Sequence, residues 1–474
     1  MPDGSPNNAA GYDLAVLGAG SAGFSAAITA AQGGARVALI GHGTIGGTCV
    51  NVGCVPSKTM IRAMDIMHAP RAAHRFDGIK VTAQITDWPA LIRQKQALVD
   101  DLRAAKYSEV LPQHSGITYI EGAARFTKTG ALRVNGTPLD ANRIIIATGS
   151  RPYMPAIPGL AETACHDSSS ILQLQRRPDS LIVLGGGYIG VELAQVFARA
   201  GTKVTLLTRR GLIPEAEPEI ATALTQAFRQ EGIAVETVQS YDRVAQRPDG
   251  VALSVTADGQ ARIVKAQHIL VAAGRVPNTD QLGLAHAGIR TDARGGIVVD
   301  DRMRTSRATV YAAGDVTGRD QFVYMAAYGA RLAATNALNG DTLIYDNSTM
   351  PAVVFSDPQV ASVGLTEAGA RAAGHQTRCS VLPLDAVPRA LAARDTRGLV
   401  KLVADASSKR LLGAHILAPE GADSIQTAAM ALKAGMTYED LGAMIFPYLT
   451  TVEALKLAAQ TFDKDMATLS CCAG

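Results

Sequence analysis

The sequence predicts an α/β protein made of two Rossmann-like dinucleotide-binding domains followed by an α+β domain. Three observations carry this. A short apolar strand, Tyr12–Leu17, runs into Gly18-Ala19-Gly20-Ser21-Ala22-Gly23, then a helical stretch to Gln32 and a second strand over 36–40. The same order recurs as a strand over 181–184, the turn Gly185-Gly186-Gly187-Tyr188-Ile189-Gly190, a helix to about Ala200 and a strand over 203–207. From about Ser348 the character shifts to alternating strands, such as 399–403 and 411–417, with later helices.

The glycines have physical reasons. One permits the tight strand-to-helix turn, a second lets a pyrophosphate approach the backbone, and a third lets helix and strand pack closely. The pyrophosphate then rests on the helix amino end, where unsatisfied N–H groups and the helix dipole favour negative charge. Two such units predict two dinucleotides, or one working copy and one relic. The acid that usually ends the second strand and takes the ribose hydroxyls is missing from both. The first unit reaches Gly41-His42 there, and the second ends Leu207-Thr208-Arg209-Arg210. Two guanidiniums in place of a carboxylate suit a 2′-phosphate, which favours NADPH over NADH.

Composition excludes other classes. The 474 residues allow about three domains. With 47% apolar and 18% charged residues the chain packs rather than staying disordered. A net charge of +3 without a dense Lys/Arg block does not point to nucleic acid. No apolar run reaches the ~18–20 residues of a membrane helix, and 1–10 read as a flexible segment without a signal-peptide pattern, so a cytoplasmic chain is expected. The 9 histidines and 6 cysteines show no zinc spacing. Cys165 and Cys379 stand alone and are assigned nothing, whereas Cys471 and Cys472 are adjacent near the carboxyl end.

The residues that carry chemistry follow the first unit: Gly46-Gly47-Thr48-Cys49-Val50-Asn51-Val52-Gly53-Cys54-Val55-Pro56-Ser57-Lys58. Pro56 suits the first turn of a helix continuing through Met67. Cys54 is then at a helix amino end, where the dipole stabilises a thiolate. Positions 49 and 54 do not face each other on a regular helix, so the turn before Pro56 has to fold back to join them. A bridge formed that way would be local and labile, suited to redox exchange. Further on come a helical region, Trp88–Lys106, and strand ends at Ala147-Thr148-Gly149, Ala272-Ala273-Gly274-Arg275 and Ala313-Gly314-Asp315.

This run resembles the redox-disulfide signature of the flavoprotein disulfide reductases, such as glutathione reductase and dihydrolipoamide dehydrogenase, and the resemblance covers nearly the whole chain. It implies an FAD domain at 11–150, an NADPH domain at 151–276, a return to the FAD domain at 277–347 and a dimerisation domain at 348–474. FAD would be held by Gly18, Ala19, Gly20, Ser21, Ala22, Gly23, Gly47, Thr48, Lys58, Ala147, Thr148, Gly149 and Asp315. NADPH would be held by Gly185, Gly187, Tyr188, Ile189, Gly190, Glu192, Arg209, Arg210 and Gly274. By the same resemblance Cys49 exchanges with substrate and Cys54 lies against the flavin. Lys58 pairs with Glu192 beside the flavin, and Tyr188 covers the face that nicotinamide approaches.

The carboxyl end separates members of that family. Those acting on disulfides carry a His-Pro whose imidazole protonates the departing thiol. Here the run is Ile445-Phe446-Pro447-Tyr448-Leu449-Thr450, and phenylalanine cannot move a proton. Glu453 remains without a histidine. Phe446, Tyr448 and the Cys471-Cys472 tail are similar to the mercuric reductases, which implies Hg(II) and its thiol complexes as substrate. Thiolates select soft ions, and two suffice for mercury. Tyr448 would stand on the metal's path in a homodimer. The alternatives are a dihydrolipoamide dehydrogenase-like reductase, which Phe446 opposes, and a thiol protein that only sequesters metal.

Overall fold

The computed structural model of the protein describes residues 11–465. They fall into two compact units, one built from residues up to 57 with 90–153 and 274–346, the other from 58–89 with 154–273 and 347 onward.

In the first unit five parallel strands stand in the order Val310–Ala312, Ala141–Ile146, Tyr12–Leu17, Val37–Gly41, Ile117–Glu121. Leu14, Ala15, Val16, Val37, Ala38 and Leu39 have no exposed surface, as expected of parallel strands covered on both faces. Helix α1, Ser21–Gln32, buries Phe24, Ala26, Ala27 and Ala30. It lies along the alanine-rich helix Val323–Asn339, close enough for Ser25 Oγ to donate to the Ala327 carbonyl at 2.8 Å. Helix α2, Gly47–Asn51, and helix α3, Cys54–Ala73, follow the second strand. Helix α4 spans Trp88–Arg103. The sequence expects it to end at Lys106, but a π-helical turn takes over at Ala104–Ser108. The helix expected to end near Met67 continues to Ala73, with Pro70 in its last turn.

The second unit holds a parallel sheet in the order Ala234–Thr237, Lys203–Thr208, Ser180–Leu184, His268–Val271, with helix α5, Tyr188–Arg199, after its first strand. An antiparallel meander of Ser240–Arg247, Gly250–Ala257 and Gln260–Ala266 accompanies it. The carboxyl-terminal part is a five-stranded antiparallel sheet, ordered Ala352–Val354, Gln359–Gly364, Leu411–Ala418, Leu399–Asp405, Thr377–Pro383. Its core joins Leu402, Ile416, Ile425, Leu455 and Ala458. The sequence places 58–89 with the first domain, yet these residues cluster with the second unit. Ion pairs from α3 to α5 explain this, Lys58 to Glu192 at 2.7 Å and Asp65 to Arg199 at 2.9 Å. Among the described residues no helix is long and apolar enough to cross a membrane.

Candidate active site

The first glycine turn is built so that side chains cannot fill it. Gly18 has φ +122°, and a Cβ there would overlap the Ala147 carbonyl. One on Gly23 would overlap the Gly18 carbonyl, and one on Gly47 would come within 2.7 Å of Gly20 Cα. Gly20 caps α1 with no side chain bonding the first-turn N–H groups, and Ser21, Ala22 and Gly23 form that turn. Uncapped donors, a bare backbone and a helix dipole fit a pyrophosphate. The missing acid after the second strand also has a reason: a side chain at Gly41 would collide with the Tyr119 hydroxyl.

The thiol loop is stitched to this turn. Gly46 N–H donates to the Ala19 carbonyl at 2.9 Å. Asn51 Nδ2 donates to the carbonyls of Ile45 and Gly47, both at 2.9 Å, and its Oδ1 accepts from Arg103 Nη1 at 3.1 Å. Cys49 is the third residue of α2 and Cys54 the first of α3, and both are half-buried thiols. Between them the chain folds back, since a Cβ on Gly53 would lie 3.0 Å from the Thr48 carbonyl and 3.4 Å from Cys49 Cα.

Sequence reasoning missed Tyr107, which the π-helical turn delivers to the same place. Its hydroxyl is 3.1 Å from Ser21 Oγ, and its ring meets Phe24 edge-on at 4.8 Å. Burial pushes its pKa up and the charges of Cys49 and Cys54 add to the rise; a Cβ on Gly46 would lie 3.2 Å from its ring, so the phenol stands beside the thiol loop and the start of α1. No local motif marks it, and the helical pattern of the sequence stops one residue before it.

The strand ends at 147–149 and 313–315 are tied together by hydrogen bonds through residues 150, 275 and 278. Thr148 Oγ1 donates to the Asn278 carbonyl, and Asn278 Nδ2 returns a bond to the Thr148 carbonyl, both at 2.9 Å. Gly149 has φ +68°. Asp315 opens a short 3-10 turn and accepts from Ser150 Oγ at 2.6 Å, with Arg275 Nε 3.7 Å away.

In the second unit, Lys58 Nζ donates to Glu192 Oε2 at 2.7 Å and lies 5.0 Å from the Phe355 ring centroid. The other oxygen of Glu192 accepts from the Phe355 N–H at 2.9 Å, which satisfies this buried carboxylate on both sides. The second glycine turn repeats the first: a Cβ on Gly185 would overlap the Ala272 carbonyl, and one on Gly190 the Gly185 carbonyl. Gly187 caps α5 without a side-chain bond and has open space around it, so this turn also fits a pyrophosphate. Tyr188 begins α5, its phenol raised in pKa chiefly by burial, and Ile189 beside it is half-buried. Arg209 and Arg210 follow the strand Lys203–Thr208 and are exposed, while Gly274, with φ +121°, has open space around it in the first unit.

Phe446 packs against the core of the carboxyl-terminal sheet, and Tyr448 is 54% exposed two residues on. Glu453 Oε2 accepts from the Leu449 N–H at 3.1 Å. Cys471 and Cys472 lie outside the described residues. Burial raises the pKa of Cys165, and pushes that of Cys379 up to about 11, which marks both as poor nucleophiles.

The profile of the pyridine nucleotide-disulphide oxidoreductases matches residues 12–334, and that of their dimerisation domain matches 350–459. A mercuric reductase of Streptomyces lividans is 46% identical over 471 residues, 98% of this chain and 99% of its own length. One of Shigella flexneri is 48% identical over 469 residues, 97% of this chain and 82% of its own. Among solved structures, the Cu(II) complex of the HOCl-induced flavoprotein disulfide reductase RclA from Escherichia coli superposes with a TM-score of 0.84 at 32% identity, covering 95% of this chain and 99% of that one.

Proposed function

The chain belongs to the pyridine nucleotide-disulphide oxidoreductases, with mercuric reductases among its relatives over nearly its whole length, and from that premise we propose that it reduces Hg(II) to Hg(0) with NADPH. The observation that carries the reading is the pair Cys49 and Cys54 beside a dinucleotide-fitting turn, combined with a phenylalanine at 446. The cofactors are FAD and NADPH; held in the first unit, FAD would supply two-electron transfer between the nicotinamide and the thiol site. The balance is NADPH and Hg(II) giving NADP⁺, Hg(0) and a proton.

The residues divide the work as follows. Thiolates are the side chains that select a soft ion, and two of them hold Hg(II). The amino end of α3 stabilises the thiolate of Cys54, and Lys58 stands one turn further along the same helix. On reduction both Hg–S bonds break and both sulfurs remain thiolates, so no proton donor is needed and Phe446 costs nothing. Tyr107, packed beside Gly46 and bonded to Ser21, steadies the loop that carries the pair. Gly18 to Gly23, Gly47, Thr48, Ala147 to Gly149 and Asp315 hold FAD, with the Lys58–Glu192 pair supporting it. Gly185 to Gly190, with Arg209, Arg210 and Gly274, hold NADPH, and Tyr188 guards the nicotinamide's approach. FAD is held by the domain at 11–150 with 277–347 and NADPH by 151–276, and the dimerisation domain at 348–474 makes a homodimer. Cys471 and Cys472 of one subunit deliver the ion to Cys49 and Cys54 of the other, past Tyr448.

The test is NADPH oxidation by the FAD-loaded protein on addition of Hg(II) in excess thiol, against oxidised lipoamide and glutathione disulfide. Turnover with Hg(II) alone is expected. Turnover with a disulfide and none with Hg(II) overturns the reading, and Hg(II) binding without NADPH oxidation means sequestration.

A further inference from the structure

The loop after Arg210 carries an acid that the reductase chemistry does not use. Thr208 ends its strand where a carboxylate would take the ribose hydroxyls, and its hydroxyl instead donates to the Gly211 carbonyl at 2.8 Å. Ile213 N–H donates to the Gly186 carbonyl at 2.8 Å, and Leu212 and Ile213 are 1% exposed. Ile213 adopts φ +42°, a conformation that β-branched residues avoid, so the surroundings fix this backbone firmly. The loop is therefore pinned onto the glycine turn of the second dinucleotide site. It presents two exposed side chains to one another: Arg210 Nη2 lies 3.5 Å from Glu215 Oε1, with the side chains 74% and 64% exposed. The charge of Glu215 also acts on Tyr188 at the start of α5, adding to the effect of burial.

We infer that Glu215 is a specificity-determining residue of this site: it is the counter-ion of Arg210, so a 2′-phosphate has to displace a carboxylate and then stay beside it. An exposed pair of this kind is weak, so its breakage is easy. The repulsion between phosphate and carboxylate remains after breakage and opposes only the ligand that carries the phosphate. A 2′-hydroxyl meets no such opposition, and a carboxylate can accept its hydrogen bond. Glu215 thus narrows the preference for NADPH that Arg209 and Arg210 create. The inference rests on the proposed reading of those arginines as the 2′-phosphate site.

The experiment is calorimetric titration of the FAD-loaded protein with adenosine 2′,5′-bisphosphate and with 5′-AMP, neither of which reacts. In Glu215→Gln the bisphosphate is expected to bind roughly fivefold tighter at low salt, with the gain shrinking as salt is raised. Binding of 5′-AMP is expected to change by less than about twofold, and the NADPH-to-NADH ratio of kcat/KM is expected to rise in step. Because Glu215 is exposed, the variant is expected to keep the parent's melting temperature. Arg209→Gln/Arg210→Gln serves as the second arm and is expected to weaken the bisphosphate by at least about tenfold. If that double variant loses affinity while Glu215→Gln binds both ligands as the parent does, the role of Glu215 is overturned and the arginine reading stands. If the double variant binds like the parent, the arginine reading falls and takes this inference with it.

Discussion

In the proposed reaction Cys54 draws its reactivity from position, since the first residue of a helix faces N–H groups with no carbonyl partner. Serine keeps the size but offers neither a soft ligand nor a thiolate. Cys49→Ser and Cys54→Ser are each expected to lower Hg(II)-dependent NADPH oxidation by more than about a hundredfold, with the melting temperature unchanged. Retained turnover in either variant would exclude that thiol from the reaction. Glycines around the loop offer a separate test of what shapes it. Gly43 and Gly47 have φ +78° and +68°, but only at Gly47 would a Cβ meet backbone, 2.7 Å from Gly20 Cα. Gly43→Ala is expected to cost about 1 kcal/mol, the strain of the dihedral alone. Gly47→Ala is expected to cost about 1–3 kcal/mol more, as the thiol loop is pushed off the cradle. Equal losses in urea unfolding would mean that conformational strain, not close approach, decides both sites.

At the level of elements, α3 and α5 are joined by a ladder. Lys58 meets Glu192 and Asp65 meets Arg199, each pair seven residues from the other on its own helix, so both lie on facing stripes. Arg199 also binds Glu231 at 2.7 Å and Asp357 at 2.6 Å, with its side chain 3% exposed. Burial alone would lower the pKa of Arg199, yet Glu231 and Asp357 more than reverse it. Arg199→Leu leaves three carboxylates short of a counter-charge and is expected to destabilise the protein by about 3–5 kcal/mol, with Arg199→Lys recovering part of the loss. A loss below about 1 kcal/mol in urea would show that Arg397 on Glu231 and Asp357, with Arg62 on Asp65, neutralises the cluster. The two glycine turns, the strands that feed them and the helix opening at Cys54 were all legible in the sequence, because a turn without Cβ atoms leaves local marks. The ladder was not, since its partners stand 134 residues apart and surface-type charges carry no periodic signal. Tyr107 escaped for a related reason: a π-helical turn breaks the 3.6-residue period that makes a helix readable.

Over the whole molecule, protonation and assembly set the conditions for activity. His68, His166, His268 and His415 all have pKa values lowered, in each case first by burial. The unfolded chain therefore binds protons that the folded one refuses, and stability present above about pH 6.5 is lost as pH falls through the region below it. Asp357 and Asp395 behave alike at lower pH: burial pushes them up, but arginines outweigh it and hold both below the usual range, so their contribution is lost only below about pH 4. The urea midpoint is expected to fall between pH 7.5 and 5.5, and His268→Gln is expected to make that fall shallower. A midpoint flat over this range would show that the four imidazoles titrate as freely as in the unfolded chain. Assembly enters through residues 350–459, the match to the dimerisation domain. A two-fold interface is self-complementary, so in the proposed homodimer each tail is placed equivalently toward the other subunit's thiols. Transfer from Cys471 and Cys472 to Cys49 and Cys54 suits Hg(II), because each new Hg–S bond forms as an old one leaves. Two variants, one lacking both tail cysteines and one lacking Cys49 and Cys54, are each expected to be inactive on a bulky thiol-bound Hg(II) complex. After subunit exchange the mixed dimer contains one site with an intact core pair facing an intact partner tail. Activity is expected to return toward about half of the parent's per mixed dimer, since one of its two sites is complete. If mass spectrometry shows mixed dimers and activity stays absent, the ion does not cross between subunits, and each tail serves its own chain.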